Sequence, residues 1–341
     1  MPNGESEGLA SASPLLLFWR NVMLRKVIIA LAVSSVFTAQ AFAEKCASQP
    51  YALTTPEGYD HLRYAPGERE RLYDGGAFVA SVDGSDDDNG DGTPEYLGQP
   101  QWVSSHIKAY RSDRNSGYAP GFKRPSSWYR IDLFDEERGV YGSDKRLDDS
   151  YRGVGSVWNR GHLAQRADAN RLNEAYGCNT HVFANAVPQA AKFNQGIWLG
   201  LENTVSSLAN QYGEVWVTTG PIFFKDKPIQ AIGEFEKGEI PVAIPDALFK
   251  VVMIESEGGV QVLSLIYPNV NENMPPEYLS GRCQRDLRYD HRRFIVSLAE
   301  VERQSGLTFF AQQGSELQAF KELSAPRLPS IDPQYEVGYC L

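Results

Sequence analysis

The chain has 341 residues, 42% apolar and 11% aromatic, enough for one large core or two small ones, and this composition excludes disordered and fibrous classes. Its 33 basic and 43 acidic side chains give a formal charge of −10, which excludes a general polyanion coat because counterion release needs clustered Lys and Arg. An enzyme acting on nucleic acid stays open, since it needs positive potential only in its cleft.

Residues 23–43 read as an export signal. Arg25 and Lys26 precede an apolar run from Val27 to Phe37, and Ala41-Phe42-Ala43 forms a small-x-small cleavage site before Glu44. That run is short for a bilayer span. Met23 is the expected start, residues 1–22 being an upstream extension, and the mature protein is expected in the periplasm or the medium. Export gives the four cysteines a meaning. Cys46, Cys178, Cys283 and Cys340 include no Cys-x-x-Cys pair, so two disulfides are expected rather than a zinc knuckle, with three connectivities open.

Residues 44–82 mix turn signals with Tyr and Arg and read as a loosely structured lead-in. In the acidic loop that follows, Asp87, Asn89 and Asp91 stand before Gly92 with the alternation of a calcium loop. Position twelve of such a loop is Gly98 instead of Glu, and a solvated acidic loop is the competing reading. Strands are predicted at 101–110, 154–158, 180–187, 214–219, 248–254, 260–267 and 307–310 from their β-branched and aromatic content. Residues 195–211 have helical periodicity, and Ser297 with Glu300 is a capping box for a helix ending near Gly306. Strands grouped around a few helices indicate an α+β fold. The expected organisation is a lead-in over 44–94, a catalytic domain over 95–325 and a Pro-punctuated tail over 326–341.

The chemistry concentrates in the central stretch. Arg160, Gly161 and His162 follow one strand, Asn185 lies in the next, and Asn194 and Glu202 flank the start of the helix, a β, β, α unit. On an ideal helix Asn194 and Glu202 would stand ~80° and ~12 Å apart, facing one cleft without both binding one ion directly. A general base, a cation, carboxamides and a carboxylate together suit metal-assisted phosphodiester cleavage.

NRGHLAQRAD from Asn159, ANAVPQ from Ala184, NQGIWLGLE from Asn194, VTTGPIF from Val217 and SLAEVERQSGL from Ser297 resemble the DNA/RNA non-specific endonucleases, which are ββα-metal (His-metal finger) nucleases. The likeness runs in order from about Trp102 to Cys340. It implies a mostly antiparallel sheet flanked by helices, and hydrolysis of DNA and RNA with little sequence specificity to 5′-phosphate ends. His162 matches the general base and Asn194 the carboxamide that holds one divalent ion, Mg2+ with Mn2+ as a substitute. Glu202 matches a carboxylate acting on that ion's water shell. Arg160 matches the motif's Arg, Arg124 an upstream Arg bracing the phosphate, and Asn185 a supporting Asn. The likeness also pairs Cys283 with Cys340, leaving Cys46 with Cys178. Three positions depart from the family pattern: Asn159 replaces an Asp, Gln165 a common Pro, and Ser206 an Arg found in some members. A catalytically silent exported module, binding nucleic acid or another surface, is the competing function, and a calcium-stabilised adhesion module rests on the acidic loop alone.

Overall fold

The computed structural model describes residues 46, 53–69, 71–82, 99–110, 119–125, 128–129, 150–233, 241–257, 259–272, 279–282, 287–311, 317, 321 and 327–338. The chain divides into two compact units, Met1–Glu44 and Lys45–Leu341, and every described residue belongs to the second. The export signal, the acidic loop with Asp87, Asn89 and Asp91, and the Cys283 and Cys340 pair lie outside the described residues.

A six-stranded antiparallel sheet forms the frame, in the order β1 (Arg71–Asp74), β2 (Val79–Val82), β3 (Pro100–Lys108), β6 (Glu214–Ile222), β9 (Ala247–Ser256), β10 (Gly259–Pro268). Both faces are covered, so its central strands read as continuous apolar runs, and period-two alternation sorts each run into two cores. Leu248, Val252 and Ile254 of β9 face one cluster with Val215 and Val217, while Phe249, Val251 and Met253 face the other with Trp102 and Trp216. Burying each such side chain stabilises by roughly 1.5–3 kcal/mol.

The first cluster is closed by helix α3 (Leu199–Tyr212), which contributes Leu201, Val205 and Leu208. On the second, helix α4 (Leu298–Ser305) lays down Leu298 and Val301. The Ser297 side chain accepts from the Glu300 N–H and Gly306 ends α4 in the left-handed conformation, so the N-cap forms as expected, while the Glu300 carboxylate accepts from Arg303 and Gln304 instead of closing the box.

Several predicted boundaries move. Residues 71–82 are two paired strands of the main sheet and not a loose lead-in, because β2 supplies a fully buried run beside β3. Of the predicted strand at 154–158, residues 154–157 are turn, with Gly153 at positive φ, and the strand is β4 (Trp158–His162), carrying the Asn-Arg-Gly-His run itself. Short helices α1 (Arg166–Ala169) and α2 (Tyr176–Asn179) follow. The predicted strand at 180–187 yields to a 3-10 turn, Phe183–Asn185, and then β5 (Ala186–Ala190). Leu307, Phe309 and Phe310 are buried as expected, but the chain bends there, Phe310 taking φ 59°, instead of forming a strand.

The tail needs no disulfide to stay attached over its described part. Val337 N–H donates to Ser207 Oγ at 2.8 Å, Asn210 Nδ2 donates to the Tyr335 carbonyl at 3.3 Å, and Gln211 binds both the Ser330 carbonyl (3.0 Å) and the Asp332 N–H (2.8 Å). Residues 330–337 thus run along the polar side of α3. The Cys46–Cys178 disulfide is formed, with Cα atoms 5.6 Å apart. It fastens α2 to the Lys123 segment, since the Cys46 N–H donates to the Lys123 carbonyl.

Candidate active site

The hairpin of β4 and β5 is in register from Trp158↔Ala190 to His162↔Ala186. Gly161 is required there: a Cβ would meet the Gln189 side chain at 2.1 Å, because that buried carboxamide crosses the hairpin over it. Asn269 closes one end, accepting from the Ala190 N–H (2.8 Å) and donating to the Pro188 carbonyl (2.9 Å). Asn185 closes the other. Its Oδ1 accepts from the Ala164 N–H at 2.8 Å, and its Nδ2 donates to the Ala164 and Thr180 carbonyls at 2.9 and 3.0 Å. Fully buried, Asn185 therefore fixes the backbone just after His162 and touches it only through the chain.

The His162 ring packs against Trp128 (centroids 4.7 Å) and stands edge-on to His181 (4.9 Å, 81°). Its Nε2 is buried and has no hydrogen-bond partner among the described residues. Burial, then the proximity of His181, Arg124 and Arg166, holds its pKa well below the ordinary imidazole value. The ring is thus neutral at physiological pH and able to take a proton. Arg160 shares its face of the hairpin by alternation and lies over the Tyr151 ring at 4.8 Å.

Asn159 meets neither His162 nor Arg160. Its Oδ1 accepts from Asn194 Nδ2 at 3.1 Å and Gln195 Nε2 at 2.8 Å, and its own Nδ2 donates to the Gly155 carbonyl at 2.9 Å. Position 159 therefore orients the carboxamide of Asn194. With its Nδ2 held, Asn194 presents Oδ1 as a hard oxygen donor, the type that suits Mg2+. Asn194–Trp198 is a π-turn in which Gly196 takes φ −110° and ψ −108°, so the ideal-helix spacing of Asn194 and Glu202 does not apply.

Glu202 sits on α3 in a buried cluster of charges. Burial raises its pKa most, Lys250 opposes that, Asp168 adds to it, and Arg124 opposes it again. Lys250 is 3% exposed; its Nζ donates to Thr219 Oγ1 at 2.9 Å and lies 4.6 Å from the centre of the Trp198 ring. Trp198 and Glu202 are one turn apart, so the amine beneath the indole lies on the carboxylate's side of the helix. The exposed Arg124 bears on both His162 and Glu202, its charge lowering the pKa of each.

The departures at 165 and 206 meet each other. Asp168 accepts from Ser206 Oγ (2.6 Å), Gln165 Nε2 (2.5 Å) and Arg171 Nε (3.0 Å), and Gln165 Nε2 also reaches Ser206 Oγ at 2.8 Å. Arg171, from the chain after α1, supplies the cation against Asp168 that an Arg at 206 could have supplied. Sequence reasoning missed Lys250, His181 and Trp128. Lys250 had a signal, a lone cation in the apolar run Leu248 to Ile254. His181 and Trp128 had none, because only the folded chain brings them to His162.

The profile of the family described as DNA/RNA non-specific endonuclease matches residues 93–316. Human "Endonuclease G, mitochondrial" is 31% identical over 182 residues, which is 52% of this chain and 55% of its own. "Nuclease EXOG, mitochondrial" of Danio rerio is 30% identical over 214 residues, 62% of this chain and 55% of its own. A crystal structure of an EndoG/EndoGI complex has 26% identity and a TM-score of 0.49, covering 73% of this chain and 89% of that one. The chain spans about half the length of the first two relatives.

Proposed function

We propose, because this chain belongs to the DNA/RNA non-specific endonuclease family, that it cuts DNA and RNA internally with little sequence preference. The observation that carries this reading is the half-buried imidazole of His162, held neutral by burial and by its neighbours His181, Arg124 and Arg166. His162 takes a proton from water, the water oxygen bonds to phosphorus, and the P–O3′ bond breaks. The 3′ oxygen gains a proton from solvent, leaving a 3′-hydroxyl and a 5′-phosphate. Arg124, exposed at the site, offsets charge on the phosphoryl oxygens, and Arg160, stacked on Tyr151, braces the strand carrying His162. Contacts to phosphate carry no sequence information, hence the weak preference.

Asn194 Oδ1 would hold Mg2+, or Mn2+ as a substitute, with Glu202 acting on the ion's waters. When bound, the ion supplies Lewis-acid stabilisation of the leaving oxygen. This chain's part is to aim the carboxamide through Asn159 and to keep a carboxylate at Glu202 through Lys250. Export through the signal ending at Ala43 is part of the same reading, and a disulfide between Cys46 and Cys178 suits an oxidising compartment. N-terminal sequencing of the mature protein checks it.

The test is plasmid and RNA cleavage by the parent and His162→Ala, with Mg2+ and with EDTA. Metal-dependent cutting by the parent, lost in a folded His162→Ala, is expected. A parent that binds nucleic acid without cutting it returns the chain to the silent-module reading.

A further inference from the structure

We propose that His181 is a positioning residue for the general base, its ring edge fixing the plane of the His162 imidazole. This rests on the nuclease reading above. A base must be held within about 0.5 Å and 10–20° of its working geometry. No hydrogen bond at Nε2 orients the His162 ring. Its plane is set by neighbouring rings instead: Trp128 at 48° and His181 at 81°, which also contact each other at 5.2 Å. Edge-to-face contact of this kind favours one orientation of the ring it meets.

His181 is itself held from several directions. It is 3% exposed. Its Nδ1 lies 3.2 Å from the Gly177 carbonyl, which can only accept, so Nδ1 carries the proton and the ring cannot turn without losing that bond. Its N–H donates to the Cys178 carbonyl (3.1 Å), and its own carbonyl accepts from the Tyr129 N–H (2.8 Å). That second bond joins the Trp128–Tyr129 segment to His181, so both rings against His162 share one backbone connection. The first leads to α2, which Cys46–Cys178 fastens to the segment carrying Arg124. One unit, held by backbone hydrogen bonds and the disulfide, thus carries the rings that aim the base.

The experiment compares the full-length parent with His181→Leu, which keeps bulk without a planar edge, and His181→Phe, which restores the edge. Steady-state cleavage and Tm are measured for each, and the carbethoxylation rate of His162 by diethyl pyrocarbonate is followed by peptide mass mapping. His181→Leu is expected to lower kcat about tenfold, short of the 10²-fold that a 1 Å misplacement can cost. KM should stay at the parent value, and His162 should be modified severalfold faster. Tm should fall by the same amount in both variants, because each loses the Nδ1–H bond to the Gly177 carbonyl. His181→Phe should nevertheless recover kcat to within about threefold. The proposal is overturned by parent-like kcat in His181→Leu, or by a Phe variant as slow as Leu. If the parent cuts nothing, the nuclease reading fails, and the modification rate still decides whether His181 holds His162: an unchanged rate in His181→Leu overturns it.

Discussion

Replacing Lys250 by Met removes the buried amine and leaves most of its volume. Two consequences follow from its contacts. Thr219 Oγ1 loses its donor, and the carboxyl of Glu202, 9% exposed beside Asp168, loses the cation that opposes its burial. Leaving a buried carboxylate without the cation that offsets its burial costs up to about 3–5 kcal/mol, the figure for breaking a direct buried ion pair, and lowers Tm by up to roughly 6–20 °C. The loss depends on pH with a definite sign. Burial already raises the Glu202 pKa above 4.5, and without Lys250 it rises further. A folded state that holds a proton the unfolded chain releases loses stability as pH rises through that window. The Lys250→Met deficit should therefore be smaller at pH 5 than at pH 8. Urea denaturation at both pH values measures it, and adding Glu202→Gln should return at least half of the stability lost at pH 8. A deficit under about 1 kcal/mol at pH 8, or equal at both pH values, would refute the pairing. So would a double variant no more stable than the single.

Because burial and neighbouring cations depress the His162 pKa, the neutral base persists into mild acid, and the acid limb of kcat/KM should fall below pH 6.5. A limb at or above 6.5, measured with metal saturating, contradicts that environment. His162→Ala should lower kcat by about 10²–10⁴ with KM little changed. Asn159→Asp keeps an acceptor for both carboxamides and should hold the Mg2+ half-saturation near the parent's, whereas Asn159→Ala should raise it; equal values for the two variants would remove position 159 from the metal arm. Replacing Cys46 and Cys178 by Ser should destabilise the protein by roughly 2–5 kcal/mol in denaturant titration, because the bond spans 132 residues, and no loss would show that it closes nothing the fold needs.

The sheet was legible because β6 and β9 are apolar on both faces and the edge strand β10 is long: 214–219, 248–254 and 260–267 each lie within a strand. Short pieces were not legible. At 154–158 the Val and Trp content suggested a strand, but two glycines make a turn there and pairing begins only at Trp158, where β5 is available. At 180–187 the β-branched and aromatic content lost to Asn185, whose three hydrogen bonds turn the chain before β5. In the site, His162, Asn194 and Glu202 were readable from order and spacing, because each sits in a contiguous motif. The role of Asn159 was not readable, since nothing in sequence marks a contact across 35 residues to Asn194. Lys250 was visible as an anomaly, but pairing it with Glu202 required the sheet register that puts Lys250 opposite Thr219 under α3.

The strap of residues 330–337 along α3 separates the inventory of the site from its integrity. A gene interrupted after residue 326 still encodes His162, Asn194, Glu202, Lys250 and both halves of the Cys46–Cys178 bond. Such a product would leave Ser207, Asn210 and Gln211 without their tail partners on the helix that carries Glu202. Every catalytic motif would survive translation, and the scaffold aiming one of them would not.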